Sequence, residues 1–397
     1  MIRSSKLSVK FSNKNKKHLI STFITEYKRV TEEFINILWK TTKIPRLIEK
    51  NITQQVQTWL TARATQCAAK QASGIVRGTR KKQDKRLFKY NEFVKKGWNK
   101  HAKRLKKFID KANMSKPDLK NVCPELDSRF VKINFENDTT FDGWITLTSL
   151  GNKLKIVIPV KKTKHFNSLT GKLKTGVRLS DKSITFSFES EVEEKTKGKT
   201  LGLDIGAKTA CSLSDGQVTK TDKDGWNLDL IQKKLSRKTK GSKSFAKAQE
   251  HRKNYIGWSI NQLNLSKCKT LRIENIKNIR RNKKSSRYLS HWTYTEIYDK
   301  LEQRCEELGV QVNRVNPTYT SQRCSKCGWV RKRNRKGKTF TCDRCNFAFD
   351  ADLNAARNIS LSLRPIWSKE RQLHKNISGF YLYEAGQEPI VPGIQLN

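Results

Sequence analysis

Four cysteines and three carboxylates carry most of the chemistry this chain can offer. Cys324-Ser-Lys-Cys327 and Cys342-Asp-Arg-Cys345 are two CxxC pairs separated by fourteen residues. Each pair can set two thiolates about 2.3 Å from one tetrahedral zinc, and a hairpin between the pairs would close the set. Four thiolates fill the coordination sphere, so the spacing predicts one structural Zn2+ and not a catalytic one. Gly328 and Asn346, each directly after a pair, suit the tight turn of a zinc knuckle. The hairpin carries Arg331, Lys332, Arg333, Arg335, Lys336 and Lys338, read here as a phosphate contact, with a solvated basic loop as the plainer alternative.

The acids are less conspicuous. Asp204 ends the run Leu201-Gly-Leu203-Asp204-Ile205-Gly206, and Glu274 ends Thr270-Leu-Arg-Ile273-Glu274-Asn275. An acid in an apolar strand is costly unless it is paired or binds a cation. Asp352 stands at the predicted start of a helix, in Asp350-Ala-Asp352-Leu-Asn354. Acids from two strands and a helix start can converge on two Mg2+ ions roughly 4 Å apart, which need hard oxygen ligands. Taken singly, each has a plainer reading. Asp204 could make a turn, Glu274 could pair with Arg272 or Lys277, and Asp352 could cap its helix. Asp350 stays open as a ligand on helix geometry alone. Asp215, before Gly216, reads as a turn residue, and Asp222, Asp224 and Asp229 as a solvated polar loop. The six histidines are dispersed, and none is assigned a role.

These groups need a scaffold. Strand signals at Leu201–Ile205, Ala210–Leu213, Leu271–Ile273 and Val310–Val315 mix with a helix at about Ser244–Leu263 and the stripe Tyr294, Tyr298, Leu301, Cys305, Leu308. Before them, Leu7, Val9 and Phe11 alternate as a strand. Leu19 to Leu38 then repeats at helical spacing, with further helices expected over Ile52–Arg77 and Leu87 to about Met114, separated by the basic stretch Arg77–Arg86. From residue 128, alternating runs at Val131–Phe135, Leu154–Val160 and Ile184–Phe188 predict a small antiparallel barrel or sheet that the first strand could join. The polar stretch from Glu191 to Thr200 marks a boundary.

Composition narrows the function classes. The chain has 397 residues, long enough for two or three domains. Its 83 Lys and Arg against 36 Asp and Glu give a net charge of +47. Self-repulsion on that scale calls for a polyanion, and phosphates repay binding through counterion release. No apolar stretch approaches the ~20 residues needed to span a bilayer. Met1–Phe11 has no signal-peptide core, and nine cysteines form no disulfide framework, so a reducing compartment is expected. Near Glu274, the cations Arg272, Lys277, Arg280, Arg281, Lys283, Lys284 and Arg287 could draw a single strand past the metals. Tyr288 offers a stacking face, while Trp292 reads better as core. Lys233, Lys234, Arg237, Lys238, Lys240 and Lys243 are expected in a phosphate-facing loop.

Taken in order, Leu203-Asp204-Ile205-Gly206, Ile273-Glu274-Asn275, Thr320-Ser-Gln-Arg323-Cys324-Ser-Lys-Cys327-Gly328 and Asp352-Leu-Asn354-Ala-Ala-Arg357-Asn358-Ile359 resemble the RuvC-like nuclease of the TnpB family. These are transposon-encoded RNA-guided nucleases, and the miniature type V CRISPR effector nucleases look like their descendants. The resemblance covers roughly residues 200–362. It implies an α+β multidomain protein with an RNase H-like (RuvC) α/β nuclease domain and an inserted zinc ribbon, preceded by a small β-barrel (wedge) domain and a helical recognition lobe. The implied boundaries are 1–12 for the first wedge strand, 13–124 for the helical lobe and 125–197 for the wedge barrel. The nuclease follows at 198–318 and 350–363, around a target nucleic-acid-binding zinc ribbon at 319–349, with a tail at 364–397. By the same resemblance Asp204, Glu274 and Asp352 are the catalytic metal ligands, two Mg2+ the catalytic cofactors, guide RNA and target DNA the partners, and a prokaryotic cytoplasm the location. Asp352 is favoured over Asp350 because it stands before x-Asn-Ala-Ala. A monomer and a homodimer on one RNA are both open, as are transposon and CRISPR origin. A cleavage-deficient RNA-guided repressor, a strand-joining transposase and a zinc-ribbon RNA-binding or translation factor are the rival functions. The tail, with Trp367, Phe380, Tyr381 and Tyr383, matches nothing in the family pattern.

Overall fold

The computed structural model describes residues 1–45, 48–114, 116–119, 121–135, 139–276, 286–366, 368–374 and 377–385. Lys277, Arg280, Arg281, Lys283, Lys284 and Trp367 therefore lie outside the described residues. The chain divides into two units, Met1–Glu191 and Val192–Asn397.

The first unit begins with β1 (Ile2–Ser8), α1 (Lys14–Lys40), α2 (Lys50–Thr53), α3 (Ala62–Lys95) and α4 (Asn99–Met114). Strands β2 (Glu125–Leu126), β3 (Val131–Asn134), β4 (Gly143–Leu147) and β5 (Ile156–Val160) follow, then α5 (Lys164–Ser168), β6 (Lys172–Leu179) and β7 (Ser183–Glu189). They form two sheets, β1-β7-β6-β2 and β3-β4-β5. The amino-terminal strand does join the later ones, pairing Ile2 to Ser8 antiparallel with Glu189 to Ser183. On α1, Phe23, Tyr27, Val30, Phe34 and Leu38 are buried in one core with Ala64, Ala68, Ala72 and Val76 of α3, whose small side chains allow close helix approach.

The helix boundaries differ from expectation. Arg77–Arg86 does not separate two helices but lies inside the 34-residue α3. Lys, Arg and Gln are good helix formers, and their charges cost nothing on a solvent-facing surface. The break comes earlier, where Thr61 caps α3 by accepting from Ala64 N, and later, where Gly97 turns with φ +64°.

The second unit runs through β8 (Lys199–Asp204), β9 (Ser212–Leu213), α6 (Leu228–Ser236), α7 (Lys243–Asn261), β10 (Cys268–Glu274), α8 (Arg287–Ser290), α9 (Tyr294–Glu307) and β11 (Gln311–Val315). Then come β12 (Trp329–Val330), β13 (Arg335–Lys336), β14 (Thr339–Thr341), β15 (Ala348–Asp350), α10 (Ala351–Ser360), α11 (Ser368–Leu373) and β16 (Phe380–Tyr381). Its main sheet has the order β11-β10-β8-β9. β10 is parallel to both β11 and β8, and β9 is antiparallel to β8. This mixed sheet with helices fits an RNase H-like, RuvC-like α/β fold. Parallel strands need both faces covered. α10 packs on β8, and α9 contributes Ile297, Leu301 and Cys305 to the same core as Leu203, Leu271 and Ile273. Gly202 makes the β8–α10 approach possible, because an added Cβ would fall on the Ala356 carbonyl and the Ser360 amide. Lys233, Lys234 and Asp229 lie in α6 and not in a loop, since Asn227 caps that helix by accepting from Leu230 N at 2.9 Å. Among the described residues no helix is long and apolar enough to cross a membrane.

Candidate metal centres

β8 and β10 lie side by side and parallel, so Asp204 and Glu274 leave the same edge of the sheet. α10 then brings Asp352 to that edge from the helix covering β8. The electrostatics register the meeting. The Asp204 carboxyl is pushed up to about 8, first by burial, then by the charges of Glu274 and Asp352, with Arg335 and Lys338 opposing. Burial also raises Glu274, against the hydrogen bond from the Thr320 hydroxyl and the charge of Arg335. Burial and neighbouring like charge both disfavour the ionised form of a carboxyl.

Two of the plainer readings, the Arg272 pair and the Asp352 cap, meet a different outcome. Arg272 donates to the Ser360 carbonyl at 2.7 Å and not to Glu274. Asp350, not Asp352, caps α10, accepting from the amides of Asp352 at 2.9 Å and Leu353 at 3.0 Å. That leaves the buried Asp352 carboxylate facing Arg335 Nη2 at 2.8 Å and Lys338 Nζ. Asp204, Glu274 and Asp352 therefore share one end of the sheet, whereas among the described residues the four cysteines are the group whose ligand atoms all lie within 4.8 Å of one another.

The four cysteines form a second centre. The Sγ atoms of Cys324, Cys327, Cys342 and Cys345 all lie within 4.8 Å of one another. Cys324 and Cys345 are 3.7 Å apart and Cys327 and Cys342 3.6 Å. A tetrahedron with 2.3 Å Zn–S bonds has edges of about 3.8 Å, so the sulfurs fit zinc. Gly328 and Asn346 turn with φ +81° and +53°, as their positions after each pair required.

The knuckle is stapled to α10 by residues that spacing did not reveal. Arg323, buried, donates to Asn358 Oδ1 at 2.7 Å, the Leu382 carbonyl at 2.6 Å and the Cys324 carbonyl at 3.3 Å. Asn358 Nδ2 returns to the carbonyls of Thr320 at 2.9 Å and Arg323 at 2.7 Å. Asn354 donates to the Arg323 carbonyl at 2.8 Å and accepts from Ser325 N at 3.0 Å. The two asparagines four apart on α10 were the available signal. Both are fully buried, and buried polar side chains must be paired.

Hairpin cations expected on phosphates are divided. Arg331 and Arg333 pair with Asp343 at 2.5 and 2.9 Å, and Arg335 and Lys338 with Asp352. Lys332 and Lys336 are exposed. Trp292 is core, and the Tyr288 hydroxyl donates to Asp229 at 2.7 Å, which ties its polar edge into the fold. Asp215 accepts from Gln217 N at 3.2 Å beside Gly216 at φ +98°, a turn as read. The tail is not free-standing: β16 pairs with β12, matching Trp329 to Tyr381 and Val330 to Phe380.

Comparison with known proteins falls on the same module. The family model described as Cas12f1-like, TNB domain matches residues 294–359. The CRISPR-associated endodeoxyribonuclease Cas12f1 of Sulfoacidibacillus thermotolerans is 25% identical over 312 residues, 65% of this chain and 73% of that protein. The chain is related to the TnpB and Cas12f1 proteins. A TnpB-like protein of Methanocaldococcus jannaschii is 28% identical over 272 residues, 57% of this chain and 97% of that protein. InsQ of Escherichia coli K12, whose name describes an RNA-guided DNA endonuclease, is 28% identical over 210 residues, 44% of this chain and 52% of that protein. In this TnpB-like and Cas12f1-like chain, the matched segment holds the four cysteines, Asp352 and both stapling asparagines.

Proposed function

We propose that the chain is an RNA-guided DNA endonuclease that hydrolyses phosphodiester bonds, with Asp204, Glu274 and Asp352 as ligands of two Mg2+ ions and the four cysteines as ligands of one structural Zn2+. The observation that carries this reading is that parallel β8 and β10 bring Asp204 and Glu274 to one end of the sheet, where α10, packed on β8, brings Asp352. When bound, paired divalent ions supply an activated water and charge for the departing oxygen.

The chain's own residues prepare that site. The Thr320 hydroxyl orients the Glu274 carboxylate by donating to Oε1. Asp350 fixes the first turn of α10 and with it the position of Asp352. Arg335 and Lys338 hold positive charge against Asp352 and, once cations replace them there, can face the substrate phosphate. The names of the relatives, endodeoxyribonuclease and RNA-guided DNA endonuclease, support the reading that DNA and a guide RNA are this chain's partners.

The same reading assigns the regions. Residues 1–12 and 125–197 are the wedge, 13–124 the recognition lobe holding RNA with the exposed basic surface of α3, and 319–349 the target-binding zinc ribbon. Cleavage of a labelled target by protein carrying its co-purified RNA tests the proposal. Breaks that need Mg2+ and vanish in Asp204→Ala support it. Equal behaviour of the two proteins would leave only an RNA-guided binder.

A further inference from the structure

The buried face of α6 carries one polar side chain that packing does not account for. Leu228, Ile231 and Leu235 line that face at helical spacing, and Gln232 stands among them with no exposed surface. An amide is a poor filler for such a position, because its polar atoms lose water on burial and need hydrogen bonds in exchange. Gln232 makes one, donating Nε2 to the Ala207 carbonyl, while its Oε1 is buried without a partner among the described residues. Buried polar atoms are almost always paired, so half of this amide is kept at a cost. The half in use points at a single backbone carbonyl.

Ala207 lies three residues after Asp204, in the loop that leaves β8. Between β8 and β9 this loop has no regular structure, so contacts from outside set its shape. Gly206 lets it fold back on itself, since an added Cβ would fall on the Thr209 carbonyl. The Thr209 hydroxyl accepts from Lys338 Nζ at 2.7 Å, the same amine that meets Asp352. The loop therefore joins the strand carrying Asp204 to the cation that faces Asp352.

A second group stands by the same carbonyl. The Tyr288 hydroxyl is 3.2 Å from the Ala207 oxygen, yet it lies closer, at 2.7 Å, to Asp229 Oδ1, which takes its one proton. That leaves Gln232 as the donor that holds Ala207. We propose that Gln232 is a positioning residue for the nuclease site: by holding the Ala207 carbonyl it sets the loop after β8, and with it the direction of the Asp204 carboxylate. The inference rests on the reading of Asp204 as a metal ligand.

The test is Mn2+ binding to the full-length, zinc-loaded protein, followed as loss of the free ion's electron paramagnetic signal, with thermal melts of the same samples. Gln232→Met keeps the length and packing of the side chain but removes the donor. It should raise the Mn2+ concentration at half-saturation by roughly tenfold or more, the usual worth of a group that orients a metal ligand. Tyr288→Phe should raise it by less. Ile231→Val trims a neighbouring core contact, and should lower the melting temperature while Mn2+ binding stays as in the parent. In target cleavage, Gln232→Met should need more Mg2+ for half-maximal rate yet approach the parent rate at saturation, a split that general unfolding would not produce. Equal weakening by Ile231→Val would overturn the inference, since α6 would then act through packing alone. Asp204→Asn, run in parallel, separates the two readings. Mn2+ binding lost in Asp204→Asn but kept in Gln232→Met overturns this inference alone, whereas binding kept in Asp204→Asn overturns the metal-ligand reading and this inference with it.

Discussion

Arg335, at the start of β13 in the zinc hairpin, donates to the carboxylate of Asp352 at the head of α10 at 2.8 Å. With Lys338 beside it, the pair makes the zinc-bound hairpin a direct neighbour of the acid cluster. The four-cysteine hairpin and the helix that carries Asp352 are thereby tied together directly.

Loss of zinc should therefore cost cutting without touching an acid. Cys342→Ser should abolish the stoichiometric zinc measured by plasma mass spectrometry. It should also reduce target cleavage at saturating Mg2+ by at least tenfold, because an outer support that fixes a metal ligand is typically worth 10–100-fold. Full cleavage by zinc-free protein would separate the two modules.

Asp204 makes a prediction about pH. Its folded carboxyl titrates near 8 against 3.8 in an unfolded chain. Between those values the unfolded state binds fewer protons, so this group lowers stability as pH rises from about 4 to 8 and holds a constant penalty above. Asp204→Asn should thus stabilise the metal-free protein at pH 8.5, by up to roughly 5 kcal/mol at 1.36 kcal/mol per pKa unit, and hardly at all at pH 4. Added Mg2+ should shrink the gap. Thermal melts across pH measure it, and a gap that widens toward acid would contradict the assignment.

Thr320→Val removes a hydroxyl from the Glu274 carboxylate and preserves side-chain volume. Cleavage should fall roughly tenfold with the melting temperature moved little. An unchanged rate would mean that Glu274 needs no orientation.

Packing offers a sharper change. Gly202→Ala places a methyl against the α10 backbone, so α10 must lift from β8. Overpacking of this kind costs typically 1–3 kcal/mol. Asn358→Ala strips one of three acceptors from the buried Arg323 guanidinium, at a cost of roughly 1–3 kcal/mol for the lost buried hydrogen bond. Chemical denaturation of each variant, read at β8–α10 by hydrogen exchange, checks both.

Local signals carried the scaffold and stopped at its long-range contacts. The strand runs at Leu201, Leu271 and Val310 were legible because apolar residues recur at every second position, as in Leu201-Gly-Leu203, Leu271-Arg-Ile273 and Val310-Gln-Val312. The zinc spacing was legible because four thiolates at one ion constrain sequence directly. The helix through Arg77–Arg86 was misread because charge was taken as a breaker, though a solvated helix face tolerates it. Lys338 was read as a phosphate contact because nothing within its hairpin announces an acid fourteen residues later. The pairing of Trp329 with Tyr381 in the tail was equally invisible, since a two-residue strand has no period to detect. Asp204, Glu274 and Asp352 were named from the strand ends, the helix start and the motif order. Their mutual charge effects required the fold.

Anomalous diffraction from protein soaked in Mn2+ tests the central claim most directly. Two peaks shared by the carboxylates of Asp204, Glu274 and Asp352, both absent in Asp204→Asn, are the predicted result. Peaks elsewhere, or carboxylate oxygens too distant to share an ion, would contradict it.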